Sequence, residues 1–554
     1  MKQYLLSQLT AAFARLGLPT DIVPGFETPR QKEHGDVTTT VALALAKRLH
    51  RNPRDLARQI VDTLEVDPRL VRRVECAGAG FINFSFTELF YQEQLKGILG
   101  TGGTFGRSSV GAGRRVQVEF VSANPTGPLT VGHGRGAVFG DSIARLMEWT
   151  GHVVEREYYF NNAGRQMRIL GDSVRLRYLE LLGDQVTFPE EYYQGEYIKD
   201  IARHLVEEHG GDLRNVPATG IFKERAEEEI FGDIKRTLGC LGIEFTTFFN
   251  ENSLYESGKI DLVVRDLRER GLVYEQDGAV WLKTSQLGGE KDKVIIKNTG
   301  EPTYRLPDIA YHREKYARGF DLMIDVFGAD HVATYPDVLA ALKALDYDVA
   351  KTKVLIHQFV TILQQGEVVK MSTRKANFIT LDELIEDVGA DVVRWFFLMR
   401  TVTSHLNFDL DLARKQSIDN PVYYVQYAHA RISSIFSKAK SLEKEEDPHS
   451  FDFSLLSTPA ELDLMKSLLQ LPDAVEMCAA TFEPHRLTEY LYDLAGVFHR
   501  FYHVCDVLTE DKALTQARLA LCRATKIVLQ NGLTMLGISA PDAMHRISSE
   551  EAME

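Results

Sequence analysis

Residues 116–149 read VQVEFVSANPTGPLTVGHGRGAVFGDSIARLMEW, and this stretch decides the fold of the 554-residue chain. A strand-like apolar run, 116–121, enters a turn rich in proline and glycine, and a helical pattern follows directly after it. A strand that feeds a helix through such a turn points the free N–H groups of the first helical turn at one place, which suits a phosphate chain. The stretch therefore predicts a phosphate-binding turn in which His133 donates a hydrogen bond to a phosphate oxygen.

Composition excludes several classes of protein. The net charge of −14 rules out a globally basic nucleic-acid binder, although a local basic face stays possible. No apolar run approaches the ~20 residues that span a bilayer, so no membrane association is expected. The five cysteines form no CxxC pair, so the sequence predicts neither a zinc site nor a disulfide framework and fits a reducing cytoplasm.

The first part of the chain, residues 1–110, is predicted to be a small α+β domain. Helical periodicity covers 4–16 and 37–49, and the alternating stretch 74–86 is typical of strands around a glycine turn. The Gly/Ser-rich segment 101–115 is predicted to be a linker.

Two larger regions follow. Strand-like and helical runs alternate over 111–415, which favours a parallel-sheet, Rossmann-like domain. Within it, the charged stretch at about 190–275 is predicted to be a helical insertion. The pattern over 416–554 is almost entirely helical and predicts a bundle. Its apolar positions recur at steps of three and four, as in Leu487, Leu491, Leu494, Phe498 and Phe501.

A second motif, VVKMSTRKANFITLDEL, occupies residues 368–384. Lys370, Arg374 and Lys375 cluster around two hydroxyl residues in a short loop. Such a cationic loop can clamp a departing pyrophosphate. Taken alone, the motif is more typical of a solvated charge run on a surface loop.

The two motifs, roughly 240 residues apart on an α/β chain, resemble the paired HIGH and KMSKS motifs of the class I aminoacyl-tRNA synthetases. They stand here as TVGH, 130–133, and KMSTR, 370–374. Six further stretches resemble the arginyl-tRNA synthetases, and the resemblance covers nearly the whole chain. These stretches are VEFVSANPTGPLTVGHGRG, TYRLPDIAYH, FGADH, LGISAP, EHGDVTTTVALALAK and GAGFINF.

The resemblance implies a class I catalytic domain at 111–415, an N-terminal tRNA-contacting domain at 1–110 and an anticodon-binding bundle at 416–554. It implies ATP-dependent activation of L-arginine to arginyl-adenylate and transfer to the 3′ end of tRNA(Arg). ATP and Mg²⁺ would enter as a substrate complex, with no protein-bound metal. A cytoplasmic monomer is expected, with candidate tRNA contacts at 423–440 and 46–59.

The resemblance also assigns site residues. A guanidinium is best held by a carboxylate, and Glu119, Tyr304 and Asp308 are implied as contacts to the arginine side chain. Asn124 and His331 are implied at its α-amino and carboxylate end. His133 and Lys370 are implied as the catalytic pair. The residues implied at the ATP site are Thr130, Gly132, His133, Gly328, Asp330, Lys370, Met371, Ser372 and Arg374.

The chain departs from its family at several of these positions. Thr130 replaces the first histidine of HIGH, and Thr373 replaces the second lysine of KMSKS. Some members compensate with a lysine before HIGH, where this chain has Gly127. His331 stands where some members carry glutamine. The missing positive charge is left to Lys370, Arg374 or Lys375.

Three alternatives stay open. A cysteine-specific class I synthetase would be expected to show zinc-ligand cysteines, and a glutamate-specific one would need basic groups in place of Glu119 and Asp308. A small nucleotidyltransferase would not need the helical C-terminus. The two threonine departures are compatible with a catalytically silent paralogue that acts as an RNA-binding module.

Overall fold

The computed structural model describes residues 2–27, 29, 31–369, 379–442 and 451–544. The N-terminal part holds a four-stranded antiparallel sheet in the order β1-β2-β4-β3, with helices packed against it. Its elements are α1 (Lys2–Arg15), β1 (Phe26–Glu27), β2 (Val37–Thr39), α2 (Val41–Leu49), α3 (Pro53–Thr63), β3 (Val71–Ala77), β4 (Phe81–Phe86) and α4 (Glu88–Thr101).

The single helix predicted over 37–49 is wrong at its start. Val37–Thr39 forms strand β2, in which Val37 pairs with Phe84, and the helix begins only at Val41. All three strand residues are β-branched and buried, which favours a pleated strand over the helix that the periodicity suggested.

The centre of the molecule is a five-stranded parallel sheet in the order β12-β11-β5-β6-β7. The chain moves outward from β5 in one direction and then returns to build β11 and β12 on the other side. Ligands of such sheets bind outside the carboxyl ends of the strands where the order reverses, which here lies between β5 and β11. The predicted Rossmann-like class is confirmed. The strands are β5 (Arg115–Glu119), β6 (Val153–Phe160), β7 (Thr247–Asn250), β11 (Leu322–Gly328) and β12 (Thr352–His357).

The range predicted to be a helical insertion, about 190–275, is helical over most of its length, but it also contains edge strand β7 of the central sheet. A separate antiparallel sheet, β8 to β10, follows it. The other elements of this region are α5 (Val131–Trp149), α6 (Gly164–Leu181), α7 (Glu196–His209), α8 (Ile221–Cys240), α9 (Asn252–Glu256), α10 (Lys259–Glu269), β8 (Val273–Gln276), β9 (Ala279–Leu282), β10 (Lys293–Ile296), α11 (Arg305–Ala317), α12 (Tyr335–Ala344), β13 (Val360–Gln364), β14 (Glu367–Val368), α13 (Leu381–Val388), α14 (Ala390–Leu398), β15 (Leu406–Asp409) and α15 (Leu410–Ala413).

The C-terminal part is a helical bundle, as predicted. Its elements are α16 (Pro421–Ser441), α17 (Pro459–Leu468), α18 (Leu471–Thr481), α19 (His485–Val504) and α20 (Lys512–Met535). The five apolar positions predicted to form one face of α19 are all fully buried.

The predicted linker packs against this bundle. The Asn531 amide donates to the carbonyl oxygens of Gly102 at 3.1 Å and Phe105 at 2.9 Å. Lys466 of α17 also pairs with Asp36 of the N-terminal part at 2.7 Å. The N-terminal part and the predicted linker therefore contact the bundle directly.

Among the described helices, none combines the length and apolarity needed to cross a bilayer. Within the same part of the chain, no cluster of three His, Cys, Asp or Glu side chains is arranged to hold a metal ion.

Candidate active site

The loop between β5 and α5 carries backbone strain at the carboxyl edge of the sheet. Val121 and Ser122 have φ angles of 68° and 46°, in the left-handed region that a β-branched residue rarely adopts. The Ser122 hydroxyl donates to Glu119 Oε1 at 2.9 Å. Strained backbone persists only where its surroundings impose it, and it is concentrated at functional sites. The strain therefore marks this loop as part of a site.

His133 is held in one protonation form by the residue that begins the helix. Thr130 is the extended residue before α5, and its backbone N–H donates to His133 Nδ1 at 3.2 Å. Burial lowers the pKa of His133, against the smaller opposing effect of Asp330, so the ring is neutral at pH 7. A neutral ring that accepts at Nδ1 carries its proton on Nε2. His133 is thus prepared as a hydrogen-bond donor at the helix start.

Gly132 and Gly134 open two sides of this helix start. A Cβ on Gly132 would meet only the Thr130 hydroxyl, at 3.7 Å, so the space beside it is free for a ligand. A Cβ on Gly134 would lie 2.5 Å from Leu381 Cδ1, so glycine is needed there for close packing with α13.

The second motif is anchored next to the first. Thr380 forms an isolated antiparallel bridge with Thr130, and the Leu381 N–H donates to the Leu129 carbonyl at 2.8 Å. The carboxyl-terminal flank of the motif therefore reaches the start of α5. Its charged core lies outside the described residues, and this includes Lys370, Met371, Ser372, Thr373, Arg374 and Lys375.

Three carboxyl groups approach one another beside this turn. Asp308 is half-buried in the first turn of α11, Glu119 is buried at the end of β5, and Glu251 is buried just after β7. Burial, reinforced by the charges of Glu119 and Glu251, raises the pKa of Asp308 to about 7. Such a cluster of mutually repelling acids attracts a cation.

Asp308 and Glu119 differ in the hydrogen bonds that their carboxyl groups accept. Glu119 accepts from Lys315 Nζ at 2.5 Å. Among the described residues, none donates a hydrogen bond to the Asp308 carboxyl group. Asp308 is therefore the acid of this pair with free acceptor capacity.

The remaining residues implied for the amino acid lie around this cluster. Tyr304 is the residue before α11, and it is 72% exposed. Asn124 bonds to the loop after β6, accepting from the Asn161 N–H at 3.0 Å and donating to Gln166 at 2.9 Å. His331 stacks on Phe327 and lines the same small cavity as Asp308.

The turn after β11 lies close to His133. Gly328 ends the strand, and Asp330 follows it in a short 3₁₀ helix, Ala329–Ala333. The Asp330 carboxylate is exposed, and its charge acts on His133. The structure thus brings the two turns implied for ATP to one edge of the sheet.

Two residues of the site were missed by sequence reasoning. Glu251 accepts from Tyr159 at 2.6 Å and from Asn161 at 2.7 Å, and burial raises its pKa. His357 lies against Gly136 of α5, and burial lowers its pKa to about 4. Neither lies in one of the motifs, so the local sequence gave no signal for them.

Comparison with protein families finds three models that match in sequence order. The arginyl tRNA synthetase N terminal domain matches residues 3–86. The catalytic domain of class I tRNA synthetases (R) matches 94–394, and the DALR anticodon binding domain matches 425–544. Together they cover most of the chain.

Individual relatives agree with this. A protein named arginine–tRNA ligase from Desulfotalea psychrophila is 55% identical over 94% of both chains. Another of that name from Salinibacter ruber is 49% identical over 98% of this chain and 100% of its own. The solved Thermus thermophilus arginyl-tRNA synthetase superimposes with a TM-score of 0.77 over 98% of this chain and all of its own, at 22% identity, which supports the fold.

Proposed function

This chain belongs to the class I arginyl-tRNA synthetases, and we propose that it joins L-arginine to tRNA(Arg) through the site between β5, β11 and α11. The family and the ligase class expected from the sequence are confirmed. A small nucleotidyltransferase is excluded by the extent of the match, and a synthetase for another amino acid is disfavoured by the named relatives.

The observation that carries the arginine site is the Asp308 carboxyl group. It lies among other acids and has no hydrogen-bond donor of its own in the described part of the chain. A guanidinium offers five N–H donors and a permanent charge, and that charge would offset the burial and the repulsion from Glu119 and Glu251 that together raise the pKa of Asp308. Glu251 and the exposed Tyr304 would complete the wall and mouth of this pocket. Asn124 and His331 would face the α-amino and carboxylate groups.

The ATP end would use positioning and charge rather than a side-chain nucleophile. The arginine carboxylate attacks the α-phosphorus of ATP, the bond to the bridging oxygen breaks, and pyrophosphate leaves. His133 Nε2–H and the N–H groups that begin α5 would stabilise the charge on the phosphate oxygens. Gly132 leaves room for the nucleotide, and Gly328 and Asp330 would lie near its ribose. Mg²⁺ would arrive bound to ATP as part of the substrate.

The basic loop would act on the leaving pyrophosphate. Lys370 is proposed as its catalytic cation, and Met371, Ser372 and Arg374 complete the proposed contact. The support is the anchoring of Thr380 to Thr130, which ties one end of the loop to the start of α5.

The tRNA would contact the two terminal parts, which we assign to 1–110 and 416–554. On the bundle, the Arg431 guanidinium lies 4.6 Å from the Tyr427 ring and 4.9 Å from the Tyr502 ring. Aromatic and guanidinium planes can stack on unpaired bases. The basic stretch 46–59 is the proposed contact in the N-terminal part. We further propose that the enzyme is a cytoplasmic monomer.

Aminoacylation by the purified protein tests this function directly. Each amino acid is supplied with ATP and bulk tRNA, and formation of aminoacyl-tRNA is followed. We expect charging with arginine alone. Charging with another amino acid would overturn the specificity, and no charging would favour the silent RNA-binding paralogue.

A further inference from the structure

A layer of buried charge lies beneath the pocket, between α11 and the central sheet. Lys315 is at its centre, with a side chain that has no exposed surface. Its Nζ donates to Glu119 Oε2 at 2.5 Å and to Asp325 Oδ1 at 2.6 Å, and it lies 4.4 Å from the Tyr311 ring centroid. A lysine buried this completely is retained only with such partners.

Lys315 lies on the same helix face as Asp308. The two residues are seven apart, which is two helical turns. His312, one turn from Asp308, lies 2.8 Å through Nδ1 from the Asp308 carbonyl oxygen and 3.0 Å through Nε2 from Asp325 Oδ2. Asp325 therefore ties together the lysine that holds Glu119 and the histidine that holds the backbone of Asp308.

Both acids and bases face Asp308. Glu119 approaches from β5 and Glu251 from the segment after β7, while His312 and Lys315 approach from α11 itself. Other groups of this layer are Tyr159 and Glu157 on β6, Tyr255 on α9, Asp325 on β11, His331 in the 3₁₀ helix, Tyr311 within α11 and Arg318 just after it.

We propose that Lys315 is a positioning residue of the arginine pocket, which holds Glu119 in place from behind and limits the negative charge around Asp308. This inference rests on the proposed function of that pocket. Lys315 itself touches no substrate, because its side chain has no exposed surface and its ammonium group is bound to Glu119 and Asp325. Without its charge, two buried carboxylates would lose their shared cation.

The consequence can be measured through the ionisation of Asp308. Lys315 lowers the pKa of Asp308, whereas Glu119 raises it. Loss of Lys315 should therefore raise the pH above which arginine binds fully, and loss of the Glu119 charge should lower that pH. A purely structural role would weaken binding in both variants without moving this midpoint in opposite directions.

The experiment compares Lys315→Met with Glu119→Gln by calorimetric titration of arginine from about pH 5.5 to about pH 9. We expect the midpoint to rise by about one pH unit in Lys315→Met and to fall in Glu119→Gln, so that Lys315→Met binds arginine about fivefold more weakly near pH 7. Lys315→Arg should keep the wild-type midpoint. The KM for ATP should stay within about twofold in all three variants.

Lys259→Met is the matched control. Lys259 on α10 pairs with Glu314, which lies on the outer side of α11. Should Lys315→Met not be recovered folded, Lys315→Met/Asp325→Asn removes one buried cation together with one buried anion, and its midpoint should still rise. Midpoints that stay fixed or move together, with arginine bound normally by the wild type, would overturn the inference alone. A wild type that binds no arginine would instead overturn the proposed function.

Discussion

The two ends of the active site are built in different ways. The proposed arginine end consists of side chains on regular elements, with Asp308 and Lys315 on α11, Glu119 on β5 and Asp325 on β11. The proposed ATP end consists of the backbone of a turn, the start of α5 and His133, with Thr380 at the edge of the second motif bridged to Thr130.

This difference reflects the two ligands. Arginine carries a fixed charge of fixed shape, so rigid elements can hold its partners in advance at the cost of repulsion between acids. The charge on the phosphates moves during the reaction and must be released with pyrophosphate, so backbone donors and a loop are better suited to it. Changes at the two ends should therefore affect different kinetic constants.

The largest difference between the effects on KM for arginine and on KM for ATP is expected from Asp308→Asn. This change keeps the shape of the side chain but removes the charge that pairs with the guanidinium. Loss of one partner of a buried ion pair costs roughly 3–5 kcal/mol, so arginine affinity should fall by roughly a hundredfold to a few thousandfold. Steady-state charging would show this as an increase in KM for arginine, with KM for ATP unchanged.

Glu314→Gln is the matched control for this change. Glu314 lies on the same helix but pairs with Lys259 away from the pocket, so its loss should leave both constants unaltered. If charging by Asp308→Asn depended on arginine concentration as it does in the wild type, Asp308 would not be part of the arginine pocket.

His133→Ala should give the opposite pattern. The variant loses the Nε2–H donor at the start of α5, and loss of one preorganised donor of this kind costs roughly 10²-fold in rate. ATP–pyrophosphate exchange in the presence of tRNA should slow by that factor, while the Kd for arginine stays constant. His152→Ala, after the far end of the same helix, should retain full activity. Weakened arginine binding in His133→Ala would show that the two ends are not separate.

The pH dependence of arginine binding should show a smaller effect that belongs only to the arginine end. The pKa of Asp308 is raised to about 7, so below that pH the free carboxyl is protonated and must lose its proton to pair with the guanidinium. Affinity should therefore fall by about tenfold for each pH unit below 7 and level off above it. Asp308→Asn should abolish this slope, and a slope that persists in that variant would assign it to another group.

Some local elements of this molecule can be predicted from the sequence, and others cannot. The strand, turn and helix around His133 were predictable, because glycine and proline mark the turn and hydrophobic periodicity changes on either side of it. The short strand at Val37–Thr39 was not, because it runs directly into helix α2 and only its pairing with β4 distinguishes the two.

The burial of charged groups at the proposed arginine end could not be predicted from the local sequence either. Glu251, Lys315 and Asp325 lie on three separate segments, and each is typical of a surface residue until the sheet brings them together. The site residues implied by the resemblance stay predictions, among them Lys370 and its neighbours outside the described residues. What the fold adds is that Glu119 and Asp308 lie close enough for the charge of Glu119 to raise the pKa of Asp308, which burial also raises.

Thr130 should give the smallest effect. It replaces a histidine of its family's motif, yet the contact that fixes His133 comes from its backbone N–H, which every residue except proline provides. Thr130→Val removes only the hydroxyl, which lies 3.2 Å from His133 Nδ1. One neutral hydrogen bond is worth about 0.5–1.5 kcal/mol, so exchange should slow by only about two- to tenfold, with arginine binding unchanged. Thr130→Ser, which keeps the hydroxyl, should match the wild type. A loss as large as that of His133→Ala would mean that the hydroxyl itself contacts phosphate, and that the ATP end relies on side chains more than its backbone geometry indicates.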